Sequence, residues 1–304
     1  MTQLQGNFSF NADTIALPSG AWAATERRTL RINDKPVLAL TQGRYRNYIF
    51  PLYTPAGFLV ATEAPADHPH HNSCWIAADH FHCKMPAMGG RLEDYTYNFY
   101  LDQTFQGRAA GSIVETGVIG EELSASAFRL VQHLEWRGPS EWAAPAGRIA
   151  ARETRTIDIT ALDTYYVIDI VSRLMAADWN LTIGPTRHSY FNVRVAESIA
   201  VTSGSGQVRN DRGRRGTEIT GDGSRWVDYC GGVGGGHKAG VAVIPAPIEN
   251  ADNCWFVTDW GVITVGPFRN VAWSVSKDQP SSLRYRILVH DGDLSDKVID
   301  SHCF

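Results

Sequence analysis

The chain has 304 residues, 43% of them hydrophobic and 20% charged, with a net charge of -4. That balance supports a sizeable core and gives no electrostatic footprint for nucleic acid or an anionic membrane surface. No stretch approaches the roughly 20 apolar residues that a bilayer-spanning helix needs, and the segment Met1 to Asn7 lacks the basic start and apolar run of a secretory signal.

Along the chain, Pro- and Gly-bearing turns punctuate the sequence at Pro18-Ser19-Gly20, Pro55-Ala56-Gly57, Gly89-Gly90, Pro145-Ala146-Gly147, Gly221-Asp222-Gly223 and Asp291-Gly292-Asp293. Five of the ten histidines (His68, His70, His71, His80 and His82) fall within one short region, in Asp67-His68-Pro69-His70-His71 and Asp79-His80-Phe81-His82. Imidazole titrates nearest neutrality, so such a cluster suits acid–base work or metal ligation; the plain alternative is a polar loop. On a strand, His80 and His82 share a face, a spacing that metal sites use, with a third ligand to come from His70, His71 or Asp67.

Helices are scarce, and Glu121 to Ala125 is the best candidate. Strand patterns are not scarce. Phe128, Leu130, Leu134 and Trp136 alternate on one face, interrupted only by Gln132. From Tyr165 to Met175, Tyr166, Ile168, Ile170 and Leu174 oppose Asp169 and Arg173; Leu283, Tyr285, Ile287 and Val289 repeat the pattern near the C-terminus. The basic run from Arg209 to Arg215 and the glycine cluster from Gly231 to Gly236 read as loops, the latter lacking the strand–turn–helix context of a phosphate cradle. Cys74, Cys83, Cys230, Cys254 and Cys303 form no CxxC pair and read as free thiols, which favours a reducing, cytoplasmic setting. No linker divides the chain, so residues 1–304 are expected to form one all-β sandwich domain.

The string Thr186-Arg187-His188-Ser189-Tyr190-Phe191-Asn192-Val193 resembles the aldose 1-epimerase (galactose mutarotase) signature, with Arg187 where asparagine is usual. The resemblance implies a β-supersandwich of the galactose mutarotase-like type. It also implies that His188 protonates a sugar ring oxygen, that an earlier histidine binds substrate, and that a carboxylate nearer the C-terminus is the base. By position, His70 or His71 takes the earlier role and Asp259 the carboxylate's. A second resemblance, to the PmoA-like family (a domain of unknown function), rests on Pro51 to Gly57, Asp67 to His71 with Trp75, Trp226 to Tyr229, Trp255 to Val257 with Asp259 and Gly261, Pro267-Phe268, and Leu283 to Gly292. The chain departs from that family at Asn72, where arginine is common, and at Asp79-His80-Phe81-His82.

These readings converge on an enzyme that moves protons on a sugar or keto-sugar-like small molecule, as an epimerase, mutarotase or lyase. His188, His70, His71 and Asp259 are its expected catalytic residues. Asp67, Arg187, Trp75 and Tyr53 are expected to bind substrate, and Tyr45, Tyr48, Tyr190, Trp260, Arg44 and Arg46 are further candidates to stack on a ring or to hold hydroxyls or a carboxylate. No cofactor is required in this reading. The alternatives are a metal-dependent hydrolase, lyase or oxygenase using a divalent ion at His80 and His82, and a non-catalytic carbohydrate-binding domain. Oligomeric state is open.

Overall fold

The period-two alternation has the expected consequence in three dimensions. In Ala127–Arg137, every second residue from Phe128 to Trp136 is buried and the residues between are more exposed. Gln132 keeps to the buried face with its amide nitrogen satisfied, donating to Asn47 Oδ1 at 2.9 Å and Glu115 Oε2 at 2.6 Å. The computed structural model describes residues 2–13, 26–86 and 89–304, so the expected turn at Pro18-Ser19-Gly20 lies outside the described residues.

The fold is all-β. Among the described residues the only helical pieces are the short turns Gly216–Ile219 and Asp296–Asp300. One eight-stranded sheet runs in the spatial order Phe8–Asp13, Glu26–Ile32, Lys35–Gln42, Asn47–Leu52, Cys74–Ala78, Ser189–Arg194, Val262–Gly266, Cys254–Val257. A second runs Gln207–Asn210, Val227–Gly234, His237–Pro245, Ser281–Asp291, Tyr165–Ala176, Ile149–Ala161, Ala127–Arg137, Ser112–Ser124. The two sheets share one apolar core: Phe191 of the first stacks on Tyr285 of the second at 4.7 Å, and Tyr190 and Ser172 join hydroxyls across it at 2.9 Å. A five-stranded sheet lies beside them, in the order Trp273–Val275, Leu181–Ile183, Phe81–Pro86, Leu92–Asn98, Ala109–Ala110.

Two local expectations are corrected. Glu121 to Ser124 is not helical but ends the strand Ser112–Ser124, where pairing with Ala127–Arg137 outweighs helix propensity. The glycine cluster is not a free loop: Gly231 to Gly234 finish one strand of a tight hairpin, and Gly234, Gly235 and Gly236 turn it at φ of 94°, 60° and 79°, which few other residues accept. The basic run is largely neutralised within the molecule. Arg209 pairs with Asp228 and Asp296, and Arg212 and Arg214 both face Asp222. All five cysteines are free thiols.

One topological detail places the site. Cys74–Ala78 pairs antiparallel with Ser189–Arg194 in the first sheet, with Ala78 opposite Ser189. Phe81–Pro86 pairs antiparallel with Leu181–Ile183 in the small sheet, with Phe81 opposite Ile183. The same two neighbouring stretches of chain therefore pass from one sheet to the other at the same level. Asp79-His80 forms one crossing and Gly184 to His188 the other, tied by the Gly184 amide donating to the His80 carbonyl at 2.8 Å.

Candidate active site

At this double crossing the Asp79 carboxylate is buried, 3% exposed, and surrounded by donors. It accepts from His188 Nδ1 at 3.0 Å, His80 Nδ1 at 2.8 Å and Thr186 Oγ1 at 2.5 Å. Each imidazole meets an arginine on its other nitrogen: Arg187 Nε donates to His188 Nε2 and Arg108 Nη1 to His80 Nε2, both at 3.2 Å. With arginine donors on Nε2, both rings carry their proton on Nδ1, toward the carboxylate. Burial alone would raise the Asp79 carboxyl, but the hydrogen bonds from His188, His80 and Thr186 outweigh it and hold the group well below the usual carboxylate range. Asp79 is a fixed negative charge, and His188, 30% exposed, is its outlet to solvent.

Tyr100 links this dyad to the histidine-rich loop. Its ring stacks on His188 at 4.9 Å, stands edge-on to His70 at 5.7 Å, and its hydroxyl lies 3.2 Å from His71 Nε2. Burial pushes the Tyr100 phenol up, so the hydroxyl stays protonated and donates. His71 Nε2 is then the acceptor, and its Nδ1–H is buried without a protein partner. His71 sits among flat rings, 5.2 Å from Trp75, 4.8 Å from His68 and 5.6 Å from Trp260; His68 and Trp260 lie nearly parallel at 4.4 Å.

Burial, with Arg46 next in importance, draws His70 down to about 3. Burial and the neighbouring His70 push His71 lower still. Both rings are neutral near pH 7, hydrogen-bonding groups rather than charges.

The structure thus brings His70, His71, His188, Trp75 and Arg187 together. Asp67 stands at the rim, where it accepts from Arg194 Nη2 at 2.9 and 3.0 Å and from His68 at 2.9 Å, pinning the loop. Trp260 joins the stack, with Arg194 over its face at 4.8 Å. Tyr53 follows the strand Asn47–Leu52 and bridges to Leu59; among the described residues no ring stack joins it to this group. Tyr190 packs in the core against Trp136 and Phe268, Tyr48 is buried and donates to Glu63 at 2.5 Å, and Arg44 lies over Tyr45.

Asp259 is placed differently from expectation. Its backbone adjoins Trp260, but its carboxylate lies against Gly216, where an added Cβ would come within 2.8 Å of Oδ1. The Tyr229 hydroxyl donates to its carbonyl at 2.9 Å. The carboxylate bonded to His188 is Asp79, which precedes it by 109 residues.

The His80 and His82 pair also differs from the metal-binding reading. His80 is engaged on both nitrogens, one of them by an arginine, while His82 Nδ1 turns to Thr96 Oγ1 at 2.9 Å and the ring centroids stand 6.1 Å apart. Among the described residues no three His, Cys, Asp or Glu side chains are grouped so as to hold a metal ion.

Asp79, Tyr100, Arg108 and Thr186 complete the site without having been singled out by sequence. Asp79 and Thr186 lay inside the quoted motifs, where a carboxylate before a histidine and a threonine two residues before His188 were the available signals. Tyr100 and Arg108 carried none.

Comparison with known proteins gives one family match: residues 27–303 fit a family of unknown function, DUF6807. The PmoA-like likeness rests on the quoted motifs alone. No curated protein matches the chain. Among solved structures, the chain is similar to YeaD from Salmonella typhimurium, a provisionally assigned mutarotase, at 10% identity and a TM-score of 0.32 over 84% of this chain and 94% of that one. It is also similar to a provisionally assigned aldose 1-epimerase from Escherichia coli K12, at 8% identity and a TM-score of 0.30 over 95% and 100%.

Proposed function

The chain belongs to DUF6807, a family of unknown function, and we propose that it is an enzyme that moves a proton on a sugar-like small molecule, an isomerase of the epimerase or mutarotase kind. The reading is carried by one observation: a partly exposed histidine, His188, whose inner nitrogen is held at 3.0 Å by a buried, ionised carboxylate.

That arrangement fixes which nitrogen works. With Nδ1–H committed to Asp79, Nε2 is the basic atom, and the imidazolium that forms when it takes a proton is stabilised by the carboxylate beneath. Arg187, on the surface, yields its place at Nε2 to a substrate oxygen and stays near it as a positive charge. The His71 Nδ1–H and Trp75 Nε1–H, both buried without partners, are the donors available where charge develops on oxygen. The aromatic group of His68, His71, Trp75 and Trp260 borders these donors and gives the site an apolar wall.

The test is interconversion of anomers or epimers in a panel of aldoses, keto-sugars and sugar acids, followed by NMR in deuterated water. His188→Ala is expected to lower turnover by about 10²–10⁴-fold with little change in melting temperature. Turnover within a factor of three of wild type in that variant ends the proposal. If the protein binds sugars but no member of the panel is turned over, it is a binding domain.

A further inference from the structure

Four arginines are buried among the described residues: Arg46, Arg108, Arg155 and Arg194. Three of them face a carboxylate. Arg155 bonds Glu153 at 2.9 Å, Arg194 bonds Asp67 at 2.9 Å, and Arg108 stands 3.9 Å from Asp79. Arg46, 2% exposed, has no ion-pair partner among the described residues. Its guanidinium lies over the Tyr100 ring at 5.9 Å and its Nη2 donates to the Tyr100 carbonyl, while Nε and Nη1 are buried without a hydrogen-bond acceptor. Asp102 is near enough to act on it through space but not to pair. Burial draws its pKa down to about 10, which leaves it charged at neutral pH. An unpaired buried guanidinium is costly, and such a charge persists where a ligand completes it.

Arg46 lines a narrow crevice with Gly43, Arg44, His70, Asn72 and Asp102. His70, on the crevice wall, stands edge-on at 5.7 Å to Tyr100, whose ring stacks on His188 at 4.9 Å. Resting on the proposal of proton transfer at that site, we infer that Arg46 anchors the carboxylate of a sugar acid whose ring lies toward His71 and His188. The chemistry favours a carboxylate over a phosphate. The Arg46 fork matches one planar monoanion in a bidentate grip, Arg44 lies over the Tyr45 ring, and Asp102 repels a dianion about twice as strongly as a monoanion.

The experiment is calorimetric titration of the full chain with galacturonate, glucuronate, the neutral sugars galactose and glucose, and glucose 6-phosphate, for wild type, Arg46→Met and Arg46→Lys. The uronates are expected to bind wild type at least tenfold more tightly than the neutral sugars. Arg46→Met is expected to weaken uronate binding roughly 10- to 100-fold and Arg46→Lys by less, with neutral sugars unaffected. Arg46→Met should also melt at or above the wild-type temperature, because it removes an uncompensated charge; a purely structural arginine would give a lower one. Equal affinity for uronates and neutral sugars, tighter binding of the phosphate, or a markedly destabilised Arg46→Met with unchanged uronate preference each overturns the assignment. None of these outcomes touches the His188 proposal, which falls only with its own variant, and loss of that proposal would leave uronate binding at Arg46 measurable.

Discussion

Asp79 and His188 are 109 residues apart in sequence and 3.0 Å apart in the fold, joined because each lies on a stretch of chain that crosses between the same two sheets. Neither residue reaches the other from within a loop of its own. The backbone pairing of Ala78 with Ser189 sets their separation.

That relationship separates two carboxylates by experiment. Asp79→Asn is expected to reduce turnover by about 10²–10⁴-fold, since an amide can neither stabilise the imidazolium nor hold the His188 tautomer. It also replaces a buried acceptor of three hydrogen bonds, costing about 1–3 kcal/mol in unfolding free energy. Asp259→Asn is expected to leave turnover within threefold of wild type. Reversed outcomes in steady-state assays of the two variants would move the carboxylate role back to Asp259.

The buried histidines make stability depend on pH. His70 falls from an unfolded value of 6.5 to about 3 in the folded chain, and His71 is lowered further. Between those limits the unfolded state binds more protons than the folded one, so stability rises with pH across that window and falls on acidification. Each group contributes a slope of up to about 1.4 kcal/mol per pH unit. His82 and His302 are lowered as well, first by burial, and add in the same direction. Asp79 acts later: its stabilisation is fully present above 3.8 and is lost only below that value. Denaturant titrations at pH 7 and pH 5 should therefore show a loss that His71→Gln reduces, and an equal loss in both proteins counts against the assignment.

Gly184 bears on the same corner. It holds φ at 78°, and a Cβ there would stand 2.9 Å from the Phe268 carbonyl oxygen. Gly184→Ala is expected to cost about 1–3 kcal/mol and to lower turnover more than a distant substitution of equal cost, because it displaces the segment carrying Thr186 and His188. Thermal melting alongside kinetics checks both parts.

The strands were legible because burial on one face leaves a period of two, as in Phe128 to Trp136 and Leu283 to Val289. His188, His70 and His71 were legible because imidazoles clustered in two short strings stand out from an ordinary background. The partner carboxylate was not. Asp79 sits beside His80, where a linear reading attends to the same-face pair His80 and His82, while its connection to His188 exists only through sheet pairing. Asp259 was chosen on chain order, which carries no information about which way its carboxylate turns. Nothing local marked Tyr100, whose role comes from His70 and His71 on one segment and His188 on another reaching it together. The hairpin glycines misled for a related reason: strand pairing, not composition, decides where such a run ends.

The double crossing also fixes how the site depends on its scaffold. The five-stranded sheet is joined to its large neighbours at more than one place: by the crossings at Asp79-His80 and Gly184 to His188, and by the single-residue step at Gly111 from Ala109–Ala110 into Ser112–Ser124. Arg108, which donates to His80, lies beside that second junction. The proton-handling pair and the arginine behind it are thus each held by backbone that two sheets share.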